Sequence, residues 1–251
     1  MAAEGKAIDA LSQFELVPVL GLVGRSVGFS QSAAHMLLAV GLISGLMIWG
    51  MSRGTVVPGR LQALAESAYD FVHGIVRGQV GEAGMRYFPF VFSLFMFVLF
   101  GNLLGMLPYA FTFTSHIAVT FALAAVVFVL VTAVALAIHG TKFFGYFFPE
   151  GAPLLLAPLI IPVEVISYLS RPISLSVRLF ANMVAGHVML KVFATFVVLL
   201  GGLGAVGPFV AAMPLAINVA LVGFEILVAF LQAYVFAMLT SIYLHDAVHL
   251  H

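Results

Sequence analysis

The sequence predicts an all-α integral membrane protein with about three transmembrane crossings, one amphipathic surface helix and a C-terminal pair of long, strongly tilted membrane-embedded helices. Of its 251 residues, 63% are hydrophobic and only 8% are charged. Because a soluble domain carries about 25% charged residues, a water-soluble globular enzyme is excluded. The net charge of zero gives no basic field for nucleic acid, and the lack of cysteine excludes disulfides and thiolate metal sites. Residues 1–251 are interpreted as a single membrane domain.

The first part of the chain predicts one crossing followed by a helix on the membrane surface. Residues 1–32 are mixed in polarity and are expected to lie outside the bilayer core. Residues 33–51 form an apolar run that is just long enough to cross about 30 Å of hydrocarbon. Residues 58–82 combine charged residues with apolar ones at steps of three and four, which favours an amphipathic surface helix. An ordinary polar loop is the alternative for this last segment.

The remaining apolar segments predict a hairpin and two longer helices. Residues 87–138 are interpreted as a helical hairpin that is dense in phenylalanine. Residues 152–200 and 208–246 are interpreted as a long, tilted helix pair. Between Leu154 and Leu200 there are 47 residues without a hydrophilic break. A helix of that length spans about 70 Å, more than twice the hydrocarbon thickness, so it must be tilted or bent near Pro172.

Basic residues in the short loops predict the orientation of the chain. In an alternating arrangement, one side of the membrane carries Arg53, Arg60, Arg77, Arg86 and Lys142. Residues 108–116 and 201–208, on the opposite side, have no Lys or Arg. We therefore expect the surface helix and the C-terminus to face the cytoplasm, or the mitochondrial matrix, and the N-terminus to face outward. The first fifteen residues resemble neither a secretory signal nor an Arg-rich transit peptide, which favours a bacterial inner membrane over a mitochondrial one.

Charged residues inside the long apolar helices indicate function, because each costs about 2.5–3.5 kcal/mol on insertion scales. At 100° per residue, Arg171 lies about 20° and Glu164 about 40° from Arg178 around the same helix. These three belong to a polar stripe that we name by its members: Glu164, Ser167, Arg171, Ser174, Arg178 and Asn182. His187 falls on the face opposite Arg178.

The last helix has a polar seam of its own. Asn218, Glu225 and Gln232 are spaced by seven residues, and Tyr243 follows Glu225 by five full turns. Two successive helices with polar seams, joined by a glycine-rich turn, predict an internal pathway for an ion. Protons fit best, because isolated Glu, His, Gln, Asn and Tyr side chains linked by water can each hold or pass a proton.

One segment carries a specific resemblance. Residues 170–187 read Ser-Arg-Pro-Ile-Ser-Leu-Ser-Val-Arg-Leu-Phe-Ala-Asn-Met-Val-Ala-Gly-His. This run resembles the signature of subunit a of the F-type (proton-translocating) ATP synthase membrane sector. Residues 100–108, 161–164, 231–236 and 13–16 agree with the same family, so the similarity covers essentially the whole chain.

The resemblance implies a role for several residues. Arg178 matches the essential arginine that faces the ring of c subunits, and Glu164 matches a carboxylate of the half-channel on the cytoplasmic or matrix side. The half-channel from the other side is matched by Asn182, His187, Glu225 and Gln232. Some members of the family carry Glu at the position of His187 and His at that of Glu225. The exchange keeps one acid and one imidazole, and leaves open which of the two is protonated first.

The resemblance also implies the function. The chain would be a stator and proton-channel subunit whose two aqueous half-channels and essential arginine let proton flow turn the c-ring and drive ATP synthesis. Its expected partners are the ring of c subunits, b-type peripheral stalk subunits, the rest of the ATP synthase complex and the lipid bilayer. No Gly-rich phosphate loop of the Walker type is present, so the chain is expected to bind no nucleotide and to be no enzyme by itself. No cofactor or metal is expected. A proton is the expected coupling ion, with sodium left open.

Several plainer interpretations stay open at this point. Arg178 could be a structural charge paired with Glu225. Arg171 could anchor at a lipid headgroup or pair with Glu164, and both are favoured over transport chemistry. Ser167, Ser174 and Tyr243 either pack helices or line the pathway, and packing is favoured. Asn218 is a possible relay or lining residue. A secondary ion or solute transporter with a midplane polar site is the alternative function, and it should show inverted repeats and paired broken helices, which we do not find. A membrane cytochrome would need histidine pairs on facing helices.

Overall fold

The computed structural model describes residues 31–52, 54, 57–107, 111–148 and 156–249, with the side chains at positions 142, 144, 146 and 205 excepted. In these residues the regular structure is helical and includes no strand, which confirms the predicted all-α class. The described part of the chain forms six α-helices: α1 (Gln31–Met51), α2 (Arg60–Val80), α3 (Phe88–Gly105), α4 (Ile117–His139), α5 (Ala157–Gly201) and α6 (Gly207–Val248).

Among the described residues, five helices are long and apolar enough to cross a membrane: α1, α3 with the short 3₁₀ segment before it, α4, α5 and α6. The predicted pair of long C-terminal helices is confirmed, since α5 has 45 residues and α6 has 42. Pro162 and Pro172 lie inside α5 and Pro214 lies inside α6 without ending either helix. Each proline removes one backbone N–H from the helix ladder, and long helices tolerate this where neighbouring groups satisfy the freed carbonyl.

Helix α2 is amphipathic, but it has two apolar stripes rather than one. The stripe that packs against the other helices comprises Ala65, Val72, Val76 and Val80, which are buried. A second stripe, about 100° away around the helix, is exposed and includes Leu61, Leu64 and Phe71. The remaining side is polar and exposed, with Asp70 and Arg77. A helix with one side against protein, one apolar side free and one polar side suits a boundary between lipid and water.

Helix α6 is the central helix of the fold, because it packs against α5, α3, α2 and α4. The core around it contains fully buried side chains from several helices: Phe95, Met96, Leu179, Met183, Phe236 and Leu244. Buried Asn102 ties α3 to α6, since its Nδ2–H donates to the Ala229 carbonyl at 3.2 Å. This packing fixes the rotation of α6, and with it the direction of its polar seam.

Some predictions concern parts of the chain outside the described residues. These include residues 1–30 of the expected N-terminal segment, with the matching residues 13–16, and Arg53 among the loop cations. The side chain of Lys142 is likewise not described.

Candidate functional site

Helix α5 leaves Arg178 exposed. Its buried side comprises Tyr168, Leu175, Ser176, Leu179 and Met183, which face α4 and α6. Arg178 lies on the exposed side of the helix, about 110° around from this buried side, together with Ser174 and Asn182. Within the described ranges, Arg178 has no ion-pair or hydrogen-bond partner. The structure thus leaves a permanent cation on an open face of the longest helix.

The other members of the polar stripe are placed differently. Ser167 is exposed like Arg178, whereas Glu164 and Arg171 are half-buried. Glu164 forms no ion pair with any described residue. The stripe therefore runs along one side of α5, from the partly covered end at Glu164 to the open face at Asn182.

Glu225 and His187 form a buried pair between α6 and α5. His187 Nδ1 lies 2.6 Å from Glu225 Oε1, and the two side chains are only 12% and 4% exposed. Gly186 makes this approach possible, because a Cβ atom at that position would lie 2.8 Å from Glu225 Oε1 and 3.1 Å from its Cδ. The alternative pairing of Glu225 with Arg178 is not found. Glu225 already has its counterion on the inward side of α5.

The His187 ring is surrounded by hydrogen-bond acceptors. Its Nε2 lies 3.0 Å from the Gly105 carbonyl oxygen and 2.8 Å from Thr112 Oγ1. The Met183 carbonyl, one turn earlier on α5, also contacts the ring. Because a carbonyl can only accept, Nε2 must carry a hydrogen atom. The pair then holds one further proton between Nδ1 and Oε1, as a neutral couple or as an imidazolium with a carboxylate, and either form avoids a lone buried charge.

A cavity of about 380 Å³ opens between α5 and α6 beside this pair. Its polar lining consists of Asn182, Glu225 and Gln232, and its remaining walls are mostly apolar. The space is large enough for several water molecules. The structure thus brings Asn182, Glu225 and Gln232 to one cavity, with His187 behind Glu225. Asn218 is set apart from it, with a buried Oδ1 that has no hydrogen-bond partner in the described part of the chain.

A second polar cluster joins the two long helices about two turns before Arg178 along α5. Arg171 Nη1 lies 3.2 Å from Asp246 Oδ2. The same guanidinium lies over two rings, 5.3 Å from the centre of Tyr168 and 5.0 Å from that of Tyr243. The proposed pairing of Arg171 with Glu164 is therefore wrong, because a carboxylate on α6 takes the place of the one on its own helix. Tyr243 is accordingly a packing partner of Arg171.

Comparison with known proteins decides the family. The family described as ATP synthase A chain matches residues 33–245, which is most of the sequence. The chain belongs to this family. It is 62% identical to the ATP synthase subunit a of Granulibacter bethesdensis over 100% of both chains. It is 57% identical to that of Gluconacetobacter diazotrophicus over 98% of this chain and 99% of the relative, and 54% identical to that of Rhodospirillum rubrum over 96% and 98%.

The resemblance that the sequence shows to subunit a is thus confirmed, and the structure adds residues to the site of this ATP synthase A chain member. Gly105, Thr112 and Asp246 contact predicted site residues, but spacing along one helix cannot reveal them because they belong to other elements. Gly186 could have been found, since it is the small residue beside His187 in the family signature and the closest point to Glu225.

Proposed function

We propose that the chain is the stator and proton-channel subunit of an F-type ATP synthase, spanning a bacterial inner membrane several times. In this proposal two aqueous half-channels reach the middle of the membrane from opposite sides, and Arg178 stands between them against a rotating ring of c subunits. Relatives named ATP synthase subunit a, at 54–62% identity over nearly their full length, support the assignment. The subunit carries protons and contacts the c-ring and b-type peripheral stalk subunits, while nucleotide chemistry belongs to the other subunits of the complex.

One observation carries the proposal: Arg178 is exposed and lacks an ion-pair partner among the described residues, whereas buried Glu225 has its own partner. A guanidinium stays charged across the physiological pH range. A cation kept on an open face of a membrane helix suits an anion supplied by another chain. A ring carboxylate fits this need, because it crosses lipid at low cost when protonated and at high cost when ionised.

The two polar clusters are candidates for the two half-channels. On one side of Arg178 the cavity between α5 and α6 holds Asn182, Glu225 and Gln232, with His187 adjoining. On the other side lie Glu164 and the cluster of Arg171 and Tyr243. A proton released on one side would have to pass the guanidinium to reach the other, so Arg178 also blocks a direct leak. Each proton yields only about 2.3 kcal/mol per 100 mV, so rotation must sum several protons for one ATP.

Substitution of Arg178 tests the proposal. In inverted vesicles holding the whole complex, we expect Arg178→Ala to abolish ATP-driven proton pumping while the complex still assembles. Arg178→Lys should not restore pumping, because a lysine side chain in a partly dehydrated site can lose its proton. Arg77→Ala is the matched control, since Arg77 is exposed and pairs only with exposed Glu82 at 2.6 Å. Full pumping by Arg178→Ala would contradict the assignment.

The buried pair should behave differently from Arg178. We expect Glu225→Gln and His187→Ala to slow proton transport without uncoupling it, because they interrupt a relay and leave the arginine barrier in place. The measurement is passive proton flux through the membrane sector together with ATP-driven pumping. A tenfold rise in passive leak in either variant would argue against placing the pair in a half-channel.

A further inference from the structure

The segment between α3 and α4 holds a hydroxyl group against the buried pair. Thr112 is 4% exposed, and its Oγ1–H donates to the Gly105 carbonyl at the end of α3 at 3.1 Å. The same Oγ1 lies 2.8 Å from His187 Nε2. Since the hydroxyl hydrogen points to Gly105, the oxygen is free to accept the Nε2–H of His187. One imidazole N–H is thus shared by two acceptors from the same segment.

The backbone around Thr112 is arranged to keep this hydroxyl in place. Glycine is the only residue type that fits at position 105, because a Cβ atom there would overlap the Thr112 side chain. On the other side, the Phe111 N–H donates to His35 Nε2 of α1 at 3.2 Å, and His35 Nδ1–H donates to the Gln31 carbonyl at 2.9 Å. The Ser115 hydroxyl donates to the Thr112 carbonyl. Elements α1 and α3 therefore both fix the position of Thr112.

The orientation of His187 decides which of its nitrogens faces Glu225. With Nε2–H bound to Gly105 and Thr112, only Nδ1 can exchange a proton with Glu225 Oε1, 2.6 Å away. A ring rotated by half a turn would place Cδ2 toward Glu225 and Cε1 toward Gly105 and Thr112, so neither side would keep a hydrogen bond through a ring nitrogen. The two acceptors therefore fix both the tautomer and the direction of the ring.

We propose that Thr112 is a positioning residue of the proton pathway, acting through His187, an inference that rests on the proposed function. Thr112 and the Gly105 carbonyl keep the Nε2–H bond intact, and the moving proton is the one on Nδ1. In the step itself the Nδ1–H bond breaks and an Oε1–H bond forms. The imidazolium becomes neutral imidazole while the Glu225 carboxylate becomes a neutral carboxyl. The pair keeps its net charge of zero throughout.

The experiment compares three single variants in the assembled complex. Thr112→Val keeps the side-chain shape and removes the hydroxyl, while Thr112→Ser keeps the hydroxyl. Thr114→Val is the matched control, because Thr114 lies in the same segment, is 0% exposed and has an Oγ1 without a hydrogen-bond partner among the described residues. Passive proton flux and ATP-driven pumping are measured in vesicles, with the amount of assembled subunit determined in each preparation.

We expect Thr112→Val to lower proton flux about tenfold, which is the smaller end of the loss seen when a group that orients a metal-ligating histidine is removed. Thr112→Ser should restore most of the flux, and Thr114→Val should match the wild type. Equal flux in Thr112→Val and Thr114→Val would overturn the inference, and so would a Thr112→Ser variant as slow as Thr112→Val.

A double-mutant cycle with His187→Ala separates positioning from packing. If Thr112 acts through the imidazole, adding Thr112→Val to His187→Ala should cause no further loss. An additional tenfold loss in the double variant would mean that Thr112 acts on packing alone and would overturn the inference. The same cycle tells the two proposals apart. If His187→Ala alone leaves proton flux unchanged, the half-channel assignment fails. If His187→Ala lowers proton flux but Thr112→Val does not, only the role of Thr112 is refuted.

Discussion

At the scale of single residues, the site depends on the absence of a side chain at position 186. Glu225 reaches His187 across α5 only because Gly186 presents no Cβ atom to its carboxylate. Glycine in a helix interior costs up to about 1 kcal/mol relative to alanine. This cost falls at the point where Glu225 of α6 contacts His187 of α5.

Gly186→Ala should therefore slow proton pumping about tenfold, because the new methyl group would lie 2.8 Å from Glu225 Oε1 and would displace the carboxylate from His187. The thermal stability of the complex should change little, since the gain in helix propensity offsets the crowding. Gly78→Ala on α2 is the control, because a Cβ atom there meets nothing within 4 Å. Pumping at the wild-type rate in Gly186→Ala would show that the contact does not matter.

His116 gives a prediction about pH at the same scale. It lies just before α4, outside the five spans, and stacks on Phe111 with ring centres 5.0 Å apart. Burial lowers the pKa of His116 below its usual 6.5. The unfolded chain therefore binds more protons than the folded chain as pH falls below about 6.5, so folding is weakened at acidic pH and unaffected above that value. We expect the melting temperature of the detergent-solubilised complex to fall less between pH 7.5 and 5.5 in His116→Gln than in the wild type. Parallel pH curves for the two proteins would refute this.

At the scale of the elements, α5 and α6 are held together at two levels by opposite charges. One is the buried pair of His187 and Glu225, and the other is the half-buried pair of Arg171 and Asp246 with two tyrosine rings. Between these levels Arg178 stays unpaired among the described residues. Pairing the flanking charges keeps α5 from rotating, so the unpaired cation keeps facing outward.

Removing the lower pair should loosen the helices without removing the pathway. A double-mutant cycle of Arg171→Gln and Asp246→Asn, read out by thermal unfolding of the complex, should give a coupling energy of about 1 kcal/mol. Both side chains are partly exposed, at 21% and 34%, so solvent screening keeps the value modest. The same cycle on Arg77 and Glu82, which are 62% and 74% exposed, should give a coupling energy near zero. A coupling energy no larger for Arg171 and Asp246 than for the exposed pair would contradict a role of this ion pair in holding α5 and α6 together.

Contacts within one helix could be predicted from the sequence, whereas contacts between helices could not. Heptad spacing on α5 and α6 placed the polar stripe and the seam on single helix faces, because rotation per residue is nearly constant along a helix. The same arithmetic could not say that Arg171 meets Asp246 rather than Glu164, or that Thr112 meets His187, because those contacts depend on how separate helices pack. Likewise, the periodic apolar positions of α2 predicted its amphipathic character but not which of its two apolar stripes is buried.

At the scale of the whole molecule, contacts with the ends of neighbouring helices show that the site residues lie at two different levels along α5. His187 meets Gly105 and the segment before α4, whereas His139 at the end of α4 donates to the Ala247 carbonyl near the end of α6 at 3.2 Å. Along α5, Arg178 lies about 13 Å from the level of His187 and about 10 Å from that of Arg171. An arginine between two separate polar clusters is the arrangement that a pathway with two half-channels requires.

The five spans also make a prediction about orientation that single cysteines can test, since the chain has no cysteine of its own. Exposed Asp70 on α2 and exposed Leu203 after α5 are separated by α3, α4 and α5, so three crossings put them on opposite sides. The basic loops predict that α2 lies on the cytoplasmic side. A membrane-impermeant maleimide should therefore label Asp70→Cys in inverted vesicles and Leu203→Cys in right-side-out vesicles. The reverse pattern would invert the orientation, and labelling of both from one side would mean that one of the three helices between them does not cross.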